Sequence, residues 1–579
     1  MISIIIITIV IIASYIRIYF GVDFTDESYY VALAYRYVLG DSPFVNELSI
    51  VPFAVLTVPF IKLYLWLNGN TDGIILFTRH LYFILTLFLA STVFLVTKKY
   101  FPLYLSLLIA SICIAFNPYM IPNLSYNSMG VVFLTVGCFL GIGVTLYEHK
   151  KTCLFLSGIC HGLSVFAYPN LLIPVFVYFS GLFLLNYRNI RPIFCYILGG
   201  LIPAFLLFSL IIHSGIDDFL FSLNYAKAIV GIYQSTNTLS PIKLIIEALS
   251  WFYYPKAKFV LLLFITPFVF KNFKKNKRLF EILCLTIPFI PLFGLKVGFI
   301  ESYSALSSRF YMFYLSYGFI YLIFLFFISK RDLLKNREDE NKDTLMLYLV
   351  WFSCFIAGIT MAFASGNGFR NLGVGMLGSG IITIMYGNFF LFDNYHVKKT
   401  NIIQVLFTSI IILFCVFFQY SGFSQQKTIY RDGNITQLTK QVDFGPFKGI
   451  YTTPEKNEYF HQLYQDVKLL EIKNSRILIY KTNLPAIYLL TSMRPASRVT
   501  FIPTKANYSK IIKENEYLCE NQEQPIIAVK VNQVLNWKLE GNSEESIDDA
   551  LNNLIKKSIS KTLIERDNYT IYLIDKLKC

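Results

Sequence analysis

The chain has 579 residues, of which 55% are hydrophobic, 17% aromatic and only 15% charged. A soluble globular protein carries roughly 25% charged residues, so this composition excludes a soluble enzyme, a disordered chain and a small disulfide-framed secreted domain, and describes a polytopic membrane protein. The net charge of +15, from 51 Lys and Arg against 36 Asp and Glu, does not indicate a nucleic-acid binder, because the basic residues fall mostly in short loops between apolar runs.

A bilayer core about 30 Å thick needs roughly 20 apolar residues per helix. Thirteen such stretches are predicted near residues 2–20, 74–97, 102–117, 128–147, 153–168, 170–187, 193–212, 257–271, 279–295, 309–329, 344–364, 374–392 and 400–418. No Lys or Arg precedes the first run and no small-residue cleavage site follows it, so it is expected to be an uncleaved anchor. Residues 21–73 form a long outer loop with two amphipathic pieces, near 28–40 and 50–67. Counting the second piece as a span would invert the charge pattern downstream, so it is expected to lie along the membrane interface.

With the N-terminus in the cytoplasm, every second loop should hold the Lys and Arg excess. Lys98 and Lys99, Lys150 and Lys151, Arg188 and Arg191, the cluster Lys271 to Arg278, Lys330 to Arg337, and Lys398 and Lys399 follow that rule. An odd number of spans then places residues 420–579 outside the cytoplasm, after a transmembrane domain of 1–419. The apolar runs stop there. Short β-branched runs at 476–480, 525–531 and 569–574 alternate with amphipathic stretches at 455–473, 505–517 and 545–558, the pattern of a small α/β unit. Its two cysteines, Cys519 and Cys579, could form a disulfide in an oxidising compartment or remain free. The other eight lie in or beside spans as small buried apolar residues. No metal-ligand spacing, Walker-type glycine loop, Ser-His-Asp signature or internal repeat is present.

Acidic side chains beside a membrane are costly, and three follow the first span: Asp23, Asp26 and Glu27, succeeded by Arg36, Gly40, Pro43 and Glu47. On pattern alone, Thr25, Asp26 and Glu27 either cap a helix starting near Ser28 or perform chemistry. Arg36 either snorkels or binds a ligand, and Arg79 and Arg309 either anchor at the interface or do so. The outer segment 213–256, with Asp217, Asp218, Tyr225, Lys227, Trp251, Tyr253 and Tyr254, fits interface anchoring or sugar stacking. The loops at Gly445 to Thr453 and Arg494 to Ser497 either face an acceptor or turn the chain.

The Asp26-Glu27 pair just after the first span, an amphipathic helix closing with Gly40-Asp41-Ser42-Pro43, a second interfacial helix, and the thirteen spans followed by an outer domain resemble the GT-C membrane glycosyltransferases. The protein O-mannosyltransferases and the aminoarabinose transferases acting on lipid A are the groups it resembles most. As architecture the resemblance covers the whole chain; as motif it covers about residues 20–80.

It implies an inverting transferase moving a sugar from a polyprenyl-phosphate donor to a glycan, lipid or protein acceptor on the outer face of a plasma membrane, expected to be bacterial. Asp26 would be the general base, with Glu27 orienting it or binding the acceptor. The leaving phosphate would be met by cations, for which Arg36, Arg79, His80, Arg309 and Arg370 are candidates, with Lys296 a further outer cation. Arg370 sits in the glycine-rich run Ser365 to Asn371. Substrate contacts are expected from Glu47, Tyr126, Asn127 and Asn367. The loop Asn117 to Asn127 lacks the second acidic residue of many relatives, so no cofactor and no obligatory metal is expected. A transporter or flippase of lipid-linked glycans, or a glycan polymerase or ligase, is the alternative. A bare anchor for the outer domain would not need so many spans.

Overall fold

The computed structural model describes residues 2–49, 51–146, 150–186, 190–237, 338–364, 372–392, six positions between 405 and 413, 432–470, 475–480, 484–500, 514–522, 524–532 and 549–579. In chain order the helices are α1 (Ile2–Arg17), α2 (Asp26–Val38), α3 (Phe53–Asn68), α4 (Ile74–Thr97), α5 (Leu103–Ala115), α6 (Tyr126–Leu146), α7 (Lys150–Ala167), α8 (Leu172–Asn186), α9 (Arg191–Ser214), α10 (Ile216–Asn237), α11 (Glu338–Phe363) and α12 (Leu377–Phe392). Apart from α2, α3 and α10, they fall on nine of the predicted stretches. Those at 257–271, 279–295 and 309–329, and most of 400–418, lie outside the described residues. Four of these helices are long and apolar enough to cross a membrane: α4, α6, α9 and α11. The chain is a multi-pass membrane protein with a C-terminal sheet domain.

The two amphipathic pieces of the first outer loop are α2 and α3. Gly69, at φ 74°, closes α3 in the left-handed conformation that glycine adopts without a steric penalty. One face of α3, with Phe53, Ala54, Thr57 and Ile61, is buried, while Phe60, Leu63, Trp66 and Leu67 face outward, as expected of a helix lying at the interface. The segment read as an outer loop from 213 instead begins with α10, whose first turn holds Asp217 and Asp218. Carboxylates there favour a helix N-terminus, and the polar start resembles a loop when no partner is visible.

In the bundle, α7 lies between α6 and α9. The contact surfaces are glycine: a Cβ on Gly158 would stand 2.0 Å from the Tyr196 carbonyl oxygen, and one on Gly199 2.0 Å from that of Phe155. Ser157 and Ser164 of α7 donate to the carbonyls of Gly137 and Gly130 on α6, at 2.7 and 2.9 Å. His161 lies on the same face, with Nδ1 2.7 Å from the Tyr196 hydroxyl. Small residues that let backbones approach, with short polar links, are the usual means of helix association in lipid.

The outer domain contains α13 (Pro454–Leu469), α14 (Glu514–Glu520) and α15 (Asp549–Ser558). A two-stranded piece, β1 (Lys440–Gln441) and β2 (Tyr451–Thr452), precedes a five-stranded sheet of β3 (Arg476–Tyr480), β4 (Arg494–Pro495), β5 (Ile526–Val531), β6 (Lys561–Glu565) and β7 (Tyr569–Ile574). The sheet order is β4-β3-β5-β7-β6, with β3 parallel to β4 and β5, and β7 antiparallel to β5 and β6. Cys519 and Cys579 are bonded, their Cα atoms 6.0 Å apart, which ties the chain end to α14. One continuous apolar core joins this domain to the first outer loop, from Val22, Phe24 and Tyr30 to Phe447, Phe460 and Ile487.

Candidate functional site

The three acids after the first span have three different surroundings. Asp23 is buried, and its Oδ1 accepts from the Thr25 amide at 3.0 Å and the Thr25 hydroxyl at 2.6 Å, while Oδ2 accepts from the Glu27 amide at 3.1 Å. The first turn of a helix leaves backbone N–H groups without partners, and Asp23 supplies acceptors for them. The cap of α2 therefore comes from Asp23, and the helix starts at Asp26 rather than near Ser28.

Glu27 and Arg79 are both fully buried, at 0% exposure. Arg79 grips the carboxylate with two parallel bonds, Nε to Oε1 at 2.7 Å and Nη2 to Oε2 at 2.6 Å, the planar fork geometry that makes Arg–carboxylate pairs strong and directional. Asn123 Nδ2 donates to Oε1 at 3.0 Å. Arg79 Nη1 donates to the Ile18 and Phe20 carbonyls at 2.6 and 3.3 Å, and Nη2 to that of Gly21 at 2.7 Å. The Glu27–Arg79 pair, whose arginine the sequence offered as a phosphate contact, thus joins α4, the exit from α1, the start of α2 and, through Asn123, the second outer loop. Its neighbour His80 is half-buried, with Nδ1 2.8 Å from the Leu76 carbonyl and Nε2 3.2 Å from the Tyr19 hydroxyl.

Arg36 does not snorkel; it is also buried, paired with Asp41 and with Glu47 Oε2 at 3.3 Å, and bonded to the Ser497 carbonyl of the outer domain. Glu47 Oε2 accepts from the Thr500 amide at 2.7 Å and the Thr500 hydroxyl at 2.5 Å. Burial pushes the Glu47 carboxyl up from its ordinary range, against the pull of Arg36 and Thr500. These two residues form a seam between α2 and the outer domain.

The outer domain grips the exit segment elsewhere too. Tyr451 makes strand-like bonds to it, its carbonyl accepting from the Gly21 amide at 2.9 Å and its amide donating to the Tyr19 carbonyl at 2.7 Å. The Val22 amide donates to Asp432 at 2.8 Å. Lys456 donates to the Val22 carbonyl and lies 4.8 Å over the Phe24 ring. The Gly445 and Pro446 carbonyls accept from the amides of Gly73 and Ile75 at the start of α4, at 2.9 and 3.1 Å. The loops at Gly445 to Thr453 and Arg494 to Ser497 are docking surfaces for the first outer loop.

Asp26, the first residue of α2, is only half-buried. Aromatic residues surround this end of the helix. The Tyr126 ring lies 5.7 Å from Tyr30, 5.8 Å from Phe53 and 5.2 Å from Tyr168. The Tyr30 hydroxyl is held well above its ordinary range, first by burial and then by Tyr126, Asp26, Tyr119 and Asp23 facing it. Tyr119 and Met120 are consecutive non-glycine residues at φ 60° and 59°, a conformation costing roughly 1–2 kcal/mol each, and the Met120 carbonyl is held by Arg17 at 3.1 Å. Tyr126 is half-buried and Asn127 buried. Backbone strain of this kind concentrates at ligand sites.

The structure thus brings Glu27 and Arg79 together beside Asp26, sets Tyr126 against Tyr30 one turn along α2, and places Arg36 and Glu47 along the seam. Lys296, Arg309, Asn367 and Arg370 lie outside the described residues, as do Trp251, Tyr253 and Tyr254. Asn123, Tyr30 and Tyr119 belong to the site although the sequence reading did not single them out. Among the described residues no group of three His, Cys, Asp or Glu is placed to hold a metal ion.

No family model matches the sequence and no curated protein matches it. Among solved structures the chain is similar to the archaeal oligosaccharyltransferase AglB from Archaeoglobus fulgidus in complex with an inhibitory peptide and a dolichol-phosphate, with a TM-score of 0.46, 11% identity, and 91% of this chain and 69% of that one covered. It is similar to the Archaeoglobus fulgidus oligosaccharyltransferase tethered with an acceptor peptide at a TM-score of 0.44, 11% identity, and the same coverage of 91% and 69%.

Proposed function

We propose that this protein is an inverting membrane glycosyltransferase that moves a sugar from a polyprenyl-phosphate donor to an acceptor on the outer face of the membrane, with Asp26 as general base. One observation carries the reading. Of the three carboxylates after the first span, Asp23 bonds the first turn of α2 and Glu27 is gripped by Arg79, and Asp26 stands half-buried at the helix N-terminus, facing Tyr30.

A hydroxyl is a poor nucleophile at neutral pH. In the proposed step Asp26 takes its proton as the acceptor oxygen attacks the anomeric carbon, and the bond from that carbon to the phosphate oxygen breaks with its electron pair. The leaving lipid phosphate then needs cations or backbone amides. Arg79 is committed to Glu27, so His80, Arg309 and Arg370 remain the candidates for that role. Tyr126 and Tyr119 offer faces for a sugar ring, and Asn127 and Asn367 polar contacts.

The test is lipid mass spectrometry on wild type, a deletion strain, and Asp26→Asn expressed at the wild-type level. One polyprenyl-phosphate sugar is expected to accumulate equally in the deletion and the variant. Accumulation only in the deletion would remove Asp26 from the role of base. Accumulation in neither would move transport or scaffolding ahead of transfer.

A further inference from the structure

Resting on the reading of Asp26 as base, we infer that Glu27, Arg79 and Asn123 are positioning residues that fix the start of α2 and hold the charge beside Asp26 balanced. Glu27 follows Asp26 directly, so any tilt of the Glu27 backbone moves the base. Arg79 reaches Glu27 from α4 and Asn123 reaches it from the second outer loop, at 2.6–3.0 Å. The same guanidinium holds three carbonyls of the α1 exit. Four elements therefore meet on the buried Glu27–Arg79 pair, and a geometry held to a fraction of an ångström is what a base acting in a transition state requires.

The pair also acts through its charge. Glu27 and Arg79 together are neutral, so Asp26 works beside a compensated dipole. Among the described residues, the other ionisable groups around this region are Asp23 and Tyr30 from the α2 segment, Tyr119 and Tyr126 from the second outer loop, Arg17 from α1, His80 from α4, and Lys456 from the outer domain. None of these changes in variants of the clamp. Removing the Glu27 charge leaves the Arg79 cation uncompensated near Asp26, which stabilises the carboxylate and weakens it as a base. Removing the Arg79 charge leaves an anion there, with the opposite effect. As a general scale, a unit charge about 10 Å from a partly buried carboxylate moves it by about one pH unit.

The experiment uses membranes of the deletion strain, which hold donor and acceptor, supplied with each purified full-length variant. The readout is the initial rate of polyprenyl-phosphate sugar consumption between pH 4 and 9. Glu27→Gln should lower the acidic limb of the rate profile by about one unit and the plateau about tenfold; Arg79→Gln should raise the limb by a similar amount. The double variant Glu27→Gln/Arg79→Gln, which has no lone buried charge, should return the limb to its wild-type position. It decides the matter together with Glu27→Gln should Arg79→Gln fail to fold. Limbs that stay at the wild-type position, or that move the same way in both single variants, overturn the inference. Wild-type activity in Asp26→Asn overturns the base itself, which is a separate outcome.

Discussion

The glycine-lined contact of α6, α7 and α9 and the charged cradle around the first outer loop are held together by opposite means. In the bundle, Gly158 and Gly199 bring backbones so close that a Cβ would stand 2.0 Å from a carbonyl oxygen. In the cradle, Arg36, Arg79, Glu27 and Glu47 are all buried and joined across elements distant in sequence. Lipid tails are as apolar as leucine, so helices inside the bilayer gain little from burying apolar surface and depend on close approach. Outside the bilayer, apolar burial is available, as the shared core of the outer domain shows. Charges there cost several kcal/mol each to desolvate, and what they add is geometric definition. The bundle should therefore be sensitive to volume, and the cradle to the loss of one partner in a pair.

The largest expected effect is at Gly158. Gly158→Leu cannot be relieved by turning a side chain, because the obstacle is backbone on α9. It should cost upwards of about 4 kcal/mol and abolish recovery of folded protein in detergent. Even Gly158→Ala should lower the melting temperature clearly. Normal yield and melting for both would remove close packing as the basis of this contact.

A smaller effect is expected at the seam, where Glu514 at the start of α14 is buried and its carboxyl is pushed up from 4.5 to about 7, mainly by that burial, against Ser497 and Arg498. A carboxyl raised in the folded state favours folding in its protonated form. Its contribution is present below about pH 4.5, declines as pH rises, and is lost above about pH 7. Melting temperatures of wild type should fall through that window. Glu514→Gln should flatten the fall and melt higher than wild type above pH 7. A variant whose pH dependence matches wild type would place the seam's sensitivity in Glu47 instead.

How much of this could be read beforehand follows from the range of each interaction. The helices at most of the apolar stretches and the strands at 476–480 and 569–574 were legible because apolar period and β-branched runs are local. Asp26 and Glu27 were legible as a pair, but their separate fates were not, since Glu27's partner lies 52 residues on and in another helix. Arg36 reads as a snorkelling side chain until the outer domain, more than 450 residues away, supplies Ser497 and Thr500. Asn123 carries no charge and no periodic signal, so nothing marked it before the second outer loop was seen to reach Glu27. The start of α10 was misread because Asp217 and Asp218 look the same in a loop and at a helix N-terminus.

The smallest effect, and the finest test of the cradle, is at Tyr119. Its backbone is left-handed at φ 60°, a region where a Cβ costs roughly 1–2 kcal/mol and glycine has no such cost. Tyr119→Gly loses the half-buried ring but releases that strain, so its melting temperature should stay close to wild type. Tyr119→Ala loses the ring and keeps the strain, so it should be less stable than the glycine variant by about 1 kcal/mol. Transfer should fall about tenfold in both if the ring meets the sugar. The order of the two variants reports the backbone, and the shared loss of rate reports the side chain. An alanine variant at least as stable as the glycine variant would mean that Tyr119 is not held left-handed, and the second outer loop would then approach Asp26 by a different path from the one that Arg17 and Asn123 now define.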